Sequence, residues 1–585
     1  MTNPRSSRVR LAFALLIVFA IVAVFAVRLV DIQIVRADQL NADSLSKRSI
    51  KSTTYAARGD IVDSNGVVLA GTVQRYDVTV APVNMQKGFL RTAKDGTKST
   101  VSLLDIANEI AKATKQDQAV VYKKLTESPQ SNYALLAGAV DLPTRRAIES
   151  LKIPGIIFQL HPVRTYPDGS VAGNLVGYMN TDGPGGGLEL GDNKCLASTN
   201  GSTTYQQGAD GVQIPGSVVT STASDPGGTL KLTIDSDLNW FAQQAIAEQG
   251  TAIGAQSGTA IVLRVKDFHL MAVADWPSVD PNNINGTPIG NVGSLAFTAQ
   301  YEPGSVFKAM SAATIIDTGT GSATMQATVP WHWVAPDGAR VNDFAPHPIQ
   351  HLTLTGVLQE SSNVGISMLG SLVPEQTRLA YMKKFGLDQT TAVKFLGEAA
   401  GSIQKLPWDS QTHYNVLYGQ GVSATALQVA QIFATLGNGG LRLPTTLVES
   451  CTKPDGTVTE VPATTGTRVV SESTAKTVTN MLESVVKGGE LAGSLVIPGY
   501  RVAGKSGTAE VASHGRYTGD RVVSFAGIAP AENPQYVVVV TYTKPATMKS
   551  SAAAAPTFTK IMSQVLTKYR VPPSTTPSTY PATSW

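Results

Sequence analysis

The chain has 585 residues, 42% of them apolar and only 15% charged, with a formal net charge of +4. At about 150 residues per domain this is length for two to four domains with sizeable cores, which excludes a disordered scaffold. The small net charge, and the lack of a Lys/Arg cluster interleaved with aromatics, argue against nucleic acid as a partner.

Leu11 to Val27, LAFALLIVFAIVAVFAV, is an uncharged run of 17 residues at the short end of what crosses a bilayer. It can be lengthened past Arg28, which can snorkel, giving an expected membrane helix over 11–35. Arg5, Arg8 and Arg10 precede it without an acidic residue, so residues 1–10 are expected in the cytoplasm and everything after residue 36 outside. The rival reading is a cleaved signal peptide with Val24-Phe25-Ala26 as processing site, but the run exceeds the usual h-region of roughly 7 to 15 residues.

Residues 36–57 read as a helical stalk. Arg58 to Ala70, RGDIVDSNGVVLA, carries a hairpin turn at Asp63-Ser-Asn-Gly66. Leu103 to Leu125 reads as helix, and the Gly/Ser/Thr/Asp/Pro-rich stretch 180–228 as loops closing a first extracytoplasmic domain, 36–228. A second domain, 229–570, opens with the strand LKLTID, a helix over Leu238–Gln249, and two strands in SGTAIVLRV and FHLMAVAD. Helices are expected at Gly304–Asp317, 355–370, 423–437 and 471–487, and strands at 500–511, 522–528 and 535–543. Strands at both ends with helices between predict one α/β domain whose sheet joins its N- and C-terminal parts. The Pro/Ser/Thr-rich residues 571–585 are expected to be a disordered tail. Cys195 and Cys451 are too few and too far apart in sequence for a disulfide scaffold or a four-ligand metal site, and a bridge between them is not expected.

Glu302-Pro-Gly-Ser-Val-Phe-Lys308 places a serine and a lysine three apart at a helix start, where they share a face. Serine is a poor nucleophile until a base takes its proton, and a lysine whose pKa is lowered by burial or a neighbouring charge can be that base. The same spacing recurs at Ser44, Ser402, Ser473 and Ser484, where it reads as a solvated helix face. Ser305 differs in its ordered company: Ser361-Ser362-Asn363, then Lys505-Ser506-Gly507-Thr508, the chain's one Lys-Ser-Gly. A second Ser-x-Asn, at Ser198–Asn200, precedes any usable serine–lysine pair. A glycine inside a strand, as at Gly507, marks a bulge or a close backbone approach by a ligand, and a strand edge suits an extended peptide substrate.

These three elements in this order are the signature of penicillin-recognising serine enzymes. With RGDIVDSNGVVLA, Arg164-Thr-Tyr-Pro-Asp-Gly169, Ala172-Gly-Asn-Leu-Val-Gly-Tyr178, SSNVG at 361–365, GQGVSATALQVA at 419–430 and Ser524-Phe-Ala-Gly-Ile-Ala-Pro530, the chain resembles the class B penicillin-binding proteins over roughly 58–565. The resemblance implies a single membrane helix, an α+β, extended pedestal or dimerisation-type domain, and an α/β transpeptidase domain with a central antiparallel sheet flanked by helices. It implies that Ser305 attacks the carbonyl between two D-alanines and that Lys308 takes its proton. Ser361 would relay a proton to the leaving D-alanine, and Asn363 would hold Lys308 and the substrate amide. Lys505 would supply positive potential, Ser506 and Thr508 would contact the terminal carboxylate, and the N–H groups of Ser305 and Thr508 would form the oxyanion hole. The implied partners are peptidoglycan stem peptides, β-lactams, the membrane, a multi-span glycosyltransferase of the shape, elongation, division and sporulation family, and divisome or elongasome proteins; no cofactor is implied.

No E-x-x-L-N run lies between Asn363 and Lys505, so rapid hydrolysis is not expected, and there is no room before residue 230 for a glycosyltransferase domain. Gly187-Leu-Glu189 departs from the Gly-x-Glu-aromatic pattern of relatives, which bears on the pedestal and not on the catalytic centre. Arg58 and Glu189 read as a pedestal ion pair. His347 and His351 are separated by Pro348 and lack further ligands, so no metal site is expected. A septal enzyme is the reading adopted. The alternatives are an elongation enzyme, a penicillin-recognising receptor and a recruiting scaffold.

Overall fold

The computed structural model describes residues 4–92, 95–131, 133–206, 214–513 and 516–585. The N-terminal apolar run folds as one helix, Pro4–Val30, continued by a π-helical turn at Asp31–Val35. Its span Arg8–Val35 has a mean hydropathy of 2.9, and a span this long and apolar can cross a bilayer. Asp31 neutralises both Arg28 (2.7 Å) and Arg36 (2.6 Å) at the end of this span. The stalk expected over 36–57 is helical only over Ala37–Arg48; Ser49–Thr54 is a strand.

The chain divides into two compact units, Met1–Ala57 with Ser198–Pro226, and Arg58–Ala197 with Gly227–Trp585. The division therefore does not follow the boundary read at 228. In the first unit, Gly201–Gln206 pairs antiparallel with Ser49–Thr54 and with Val219–Thr222. The stretch read as loops thus carries two Thr-rich strands, whose partner lies about 150 residues earlier, beyond any local signal.

In the second unit the turn at Asp63 forms as read. Gly66 takes φ +86°, and one carboxylate oxygen of Asp63 accepts the N–H groups of Asn65 and Val67, each at 2.8 Å. The other accepts Ser236 N–H (3.1 Å) and its hydroxyl (2.8 Å), which joins the hairpin to the second domain's first helix. The single helix expected over 103–125 breaks at left-handed Lys115 into Leu103–Thr114 and Gln118–Thr126, the second capped by Asp117. Fully buried Glu189 accepts from both Arg58 and Arg164 at 2.6 Å, so the expected pedestal pair is a triad within the segment that departs from the relatives.

The second domain is built on five strands: β1 (Ser257–Arg264), β2 (Leu270–Trp276), β3 (Ala503–Ser513), β4 (Arg516–Ala529) and β5 (Tyr536–Thr543). They pair antiparallel in the order β2-β1-β5-β4-β3, so the first strands of the domain lie beside its last. Alternate residues serve two cores. Ala260, Val262, Val538, Val540 and Phe525 pack under helices α1 (Ser236–Ala252) and α6 (Ala555–Lys568). Ile261, Leu263, Val537 and Val539 face the core that holds α2 (Lys308–Asp317), α3 (Asn363–Gly370), α4 (Ala426–Gly437) and α5 (Glu472–Gly488). β3 is the edge.

Two expectations are corrected. Cys195 and Cys451 are bonded, with Cα atoms 6.1 Å apart across a separation of 256 residues. Strand Val448–Thr452 pairs with Thr229–Leu232 so that Cys451 lies opposite Leu230, while Gly228 N donates to Cys195 O (2.8 Å). Register, and not sequence spacing, brings the thiols together. Residues 571–585 are not a disordered tail: Val571 O accepts from Tyr500, and Leu352 bridges to Ser584. Composition favoured disorder, yet the extended, proline-stiffened segment finds hydrogen-bond partners on the domain surface. Closing so long a loop makes the disulfide a constraint on the unfolded chain. Replacing both cysteines by alanine is expected to lower unfolding stability by about 2–5 kcal/mol in denaturant titration, and reduction of the parent should give the same loss.

Candidate active site

Ser305 sits in a 3-10 turn, Gly304–Phe307, that runs directly into α2. At three residues per turn this geometry eclipses positions i and i+3, aligning Ser305 with Lys308 more closely than an α-helix would. Gly304 takes φ +61°, its N–H donates to Gly419 O (3.0 Å), and a Cβ there would lie 3.0 Å from Thr508 O, so a glycine is favoured on the N-terminal side of Ser305.

Lys308 is fully buried and reaches four groups. Its Nζ lies 2.9 Å from Ser305 Oγ, 2.5 Å from Ser361 O, 2.7 Å from Asn363 Oδ1 and 3.4 Å from Ser361 Oγ. Burial, followed by the charge of Lys505, holds its amine well below the ordinary lysine value. Lys505, on edge strand β3, is also fully buried; its Nζ donates to Ser361 Oγ (2.9 Å) and Ser506 Oγ (3.2 Å), and burial pushes it down to about 7. Ser361 Oγ thus stands between two lysines.

The expected helix over 355–370 is two helices, Leu354–Gln359 and α3, broken at Ser361. Ser361 adopts φ +57°, a left-handed conformation that is uncommon for a residue with a side chain and that persists only where the surroundings enforce it. Enforcement comes from Ser362, which caps α3 by accepting Gly365 N–H (2.8 Å) and donates its hydroxyl to Asp343 (2.7 Å). Asp343 also accepts Val364 N–H (2.9 Å) and lies 3.0 Å from His347 Nε2. Asn363 Nδ2 donates to Asn342 O (3.1 Å), leaving its Oδ1 turned to Lys308.

Gly507 is not a bulge: β3 keeps continuous register with β4 from Ala503 to Glu510. A Cβ at Gly507 would lie 2.5 Å from Ser524 Oγ and 3.0 Å from Pro303 O, so the close approaches come from the neighbouring strand and from the segment that carries Ser305. The structure therefore joins Ser305, Lys308, Ser361, Asn363 and Lys505 in one hydrogen-bonded cluster. Ser506 enters through Lys505, and Gly507 and Thr508 pack against residues 303–304. Asp343 and Asn342 were missed from sequence; nothing in the spacing of VNDF announces them. Glu302 was quoted without a role; its carboxylate accepts Gly421 N–H (2.9 Å) and the Tyr517 hydroxyl (3.2 Å), and burial raises its pKa. His351, weighed as a metal ligand, instead meets the Trp585 ring.

Comparison with known proteins matches residues 258–563 to the family described as the penicillin binding protein transpeptidase domain, and residues 53–184 to the penicillin-binding protein dimerisation domain. Penicillin-binding protein PbpB of Mycolicibacterium smegmatis is 35% identical over 96% of this chain and 90% of its own length. Peptidoglycan D,D-transpeptidase FtsI of Escherichia coli K12 is 31% identical over 93% and 89%. Among solved structures, a peptidoglycan synthetase from Bifidobacterium adolescentis aligns at TM-score 0.72 and 28% identity, covering 92% of this chain and 100% of its own. Penicillin binding protein 3 from Mycobacterium tuberculosis, complexed with aztreonam, aligns at TM-score 0.69 and 28% identity, covering 91% and 100%.

The contact at Gly507 yields an expected outcome. A Gly507→Ala chain must push back Ser524 or the 303–306 segment, at a cost of about 1–3 kcal/mol, to be read as a lowered melting temperature. An unchanged melting temperature would show that this contact yields freely.

Proposed function

This chain belongs to the class B penicillin-binding proteins and is a serine-type D,D-transpeptidase; on that premise we propose that it cross-links peptidoglycan stem peptides at the division septum through an acyl-enzyme on Ser305. The observation that carries the assignment of residues is the convergence of Ser305 Oγ, Ser361 and Asn363 Oδ1 on the amine of buried Lys308. Neutral Lys308 takes the Ser305 proton as Oγ bonds to the carbonyl carbon of the penultimate D-alanine. The tetrahedral intermediate then collapses and the C–N bond breaks. The leaving D-alanine takes a proton from Lys308 through Ser361, whose hydroxyl touches both lysines. An amine of a neighbouring stem peptide attacks the acyl-serine, the new amide forms, and the proton returns to Ser305.

In this reading the N–H groups of Ser305 and Thr508 stabilise the oxyanion, while Lys505, Ser506 and Thr508 receive the terminal carboxylate. Edge strand β3 offers its open side to the extended peptide. The transpeptidase reading is supported by similarity along most of the chain to penicillin-binding protein PbpB and peptidoglycan D,D-transpeptidase FtsI; the septal role is our own step beyond it. β-Lactams are the expected inhibitors, since the M. tuberculosis neighbour is complexed with aztreonam and with ampicillin. For topology, the three N-terminal arginines support a cytoplasmic start of the chain, and a disulfide between two buried cysteines suits the oxidising side of the membrane. Glycan polymerisation is assigned to a multi-span partner.

Two outcomes test this. Incubated with benzylpenicillin, the parent should gain one drug mass by intact-protein mass spectrometry and Ser305→Ala none; an adduct that persists in the variant would sink Ser305 as nucleophile. Because neutral Lys308 is the base and its pKa is depressed, the acylation rate should rise with pH to a midpoint well below 10.5. A profile rising only near the ordinary lysine value would remove Lys308 from that role.

A further inference from the structure

Residues 571–585 run back along the catalytic domain and grip it at two places. At the first, Val571 O accepts from the Tyr500 hydroxyl (2.6 Å), Ser574 N donates to Gly499 O (2.8 Å), and Ser574 Oγ accepts from Arg501 N (2.9 Å). Arg501 Nη1 donates to Thr576 Oγ1 (3.0 Å), while its Nε is held by fully buried Glu483 (2.9 Å). Lys505 lies four residues further along this same segment.

At the second place the segment meets strand Gln350–Thr353, which pairs with Gln326–Val329, through a single β-bridge. Leu352 bridges to Ser584, Thr353 N donates to Thr583 O (3.1 Å), and the Trp585 ring meets His351 edge-on at 4.9 Å. Thr353 is the junction. Its hydroxyl donates to Ala582 O (2.6 Å) and accepts Gly356 N–H (3.1 Å), which caps helix Leu354–Gln359. A Cβ on Gly356 would lie 1.8 Å from Thr583 O, so the segment is seated directly on the helix. That helix is about 9 Å long at 1.5 Å per residue, and Ser361 stands just beyond it, where its N–H donates to Leu358 O (3.2 Å). One segment therefore holds the approaches to Ser361 and to Lys505, whose side chains meet at 2.9 Å. Pro572, Pro573, Pro577 and Pro581 keep it extended, with backbone carbonyls free for the domain.

We propose that residues 571–585 are a positioning strap for the catalytic centre, and that Thr353 is the positioning residue through which the strap sets Ser361 and Asn363 against Lys308. The proposal rests on the transpeptidase reading, with Ser305 as nucleophile. A segment that merely covered apolar surface would not share its hydrogen bonds with the residue that caps the helix leading to Ser361.

The test uses the full chain in detergent, a chain ending at Pro581, Thr353→Val and Thr353→Ser. Acylation by benzylpenicillin is followed across a pH series, per titrated active site, beside the melting temperature. The truncated and valine chains should acylate roughly tenfold more slowly, since displacements of an ångström or less at a reacting centre carry penalties of this order. Their pH midpoint should move upward as water reaches Lys308, and serine should restore both rate and midpoint. Rates and midpoints equal to the parent's, or a lowered melting temperature with unchanged rate per site, would overturn the strap. Should the truncated chain not fold, the Thr353→Val and Thr353→Ser pair makes the same comparison. A parent that takes no adduct fails the transpeptidase reading itself, a result distinct from a reactive parent with equally reactive variants.

Discussion

Two lysine amines, Lys308 and Lys505, are withdrawn from water and meet over a single hydroxyl, Ser361 Oγ. Carrying a charged amine into a protein interior costs on the order of several kcal/mol per ion unless it is paired. Among the described residues neither amine contacts a carboxylate; their partners are hydroxyls, two carbonyls and an amide oxygen. The cost is relieved by loss of the proton, which is why burial depresses both pKa values. An amine with a depressed pKa, 2.9 Å from a serine hydroxyl, has the placement that the proposed proton acceptor needs, and the surrounding segments keep it buried.

Keeping it so requires three chain segments, distant in sequence, to meet at hydrogen-bond tolerance. The sheet supplies one wall, since pairing the domain's first strands with its last presents β3 and Lys505 at an edge. The 3-10 turn supplies the second by eclipsing Ser305 and Lys308. The third is the left-handed turn at Ser361, a strained conformation held by Asp343, the Ser362 cap and, in the inference drawn above, the 571–585 segment. Glycines stand where these segments touch: Gly304 beside Thr508, and Gly507 beside Pro303 and Ser524.

The pedestal portion within the same unit follows the same economy. Asp63 uses one carboxylate oxygen to close its own turn and the other to hold Ser236, where α1 begins. Glu189 gathers two arginines from separate strands and loops, and the Cys195–Cys451 bond ties the end of that portion to a strand of the catalytic domain. The carboxylates of Asp63 and Glu189 are thus satisfied, and the Asp63–Ser236 contacts and the disulfide cross the seam inside the unit formed by residues 58–197 and 227–585.

What the sequence by itself determined was whatever local chemistry dictates: the N-terminal apolar helix long enough to cross a bilayer, the turn at Asp63–Gly66, the strands of the five-stranded sheet, and the ordered spacing of Ser305, Lys308, Ser361, Asn363 and Lys505. Each rests on periodicity, on turn chemistry or on short spacings that keep their meaning before the chain folds. Only the tertiary structure decided that Ser361 is left-handed, that Asp343 holds Ser362, that strands Gly201–Gln206 and Val219–Thr222 form within 180–228, that Cys195 bonds Cys451, and that 571–585 is seated against Thr353. In these cases the partner is supplied by another segment through strand register or helix packing. The free energy of such contacts depends on what the fold brings near, and composition or spacing along the chain carries no record of it.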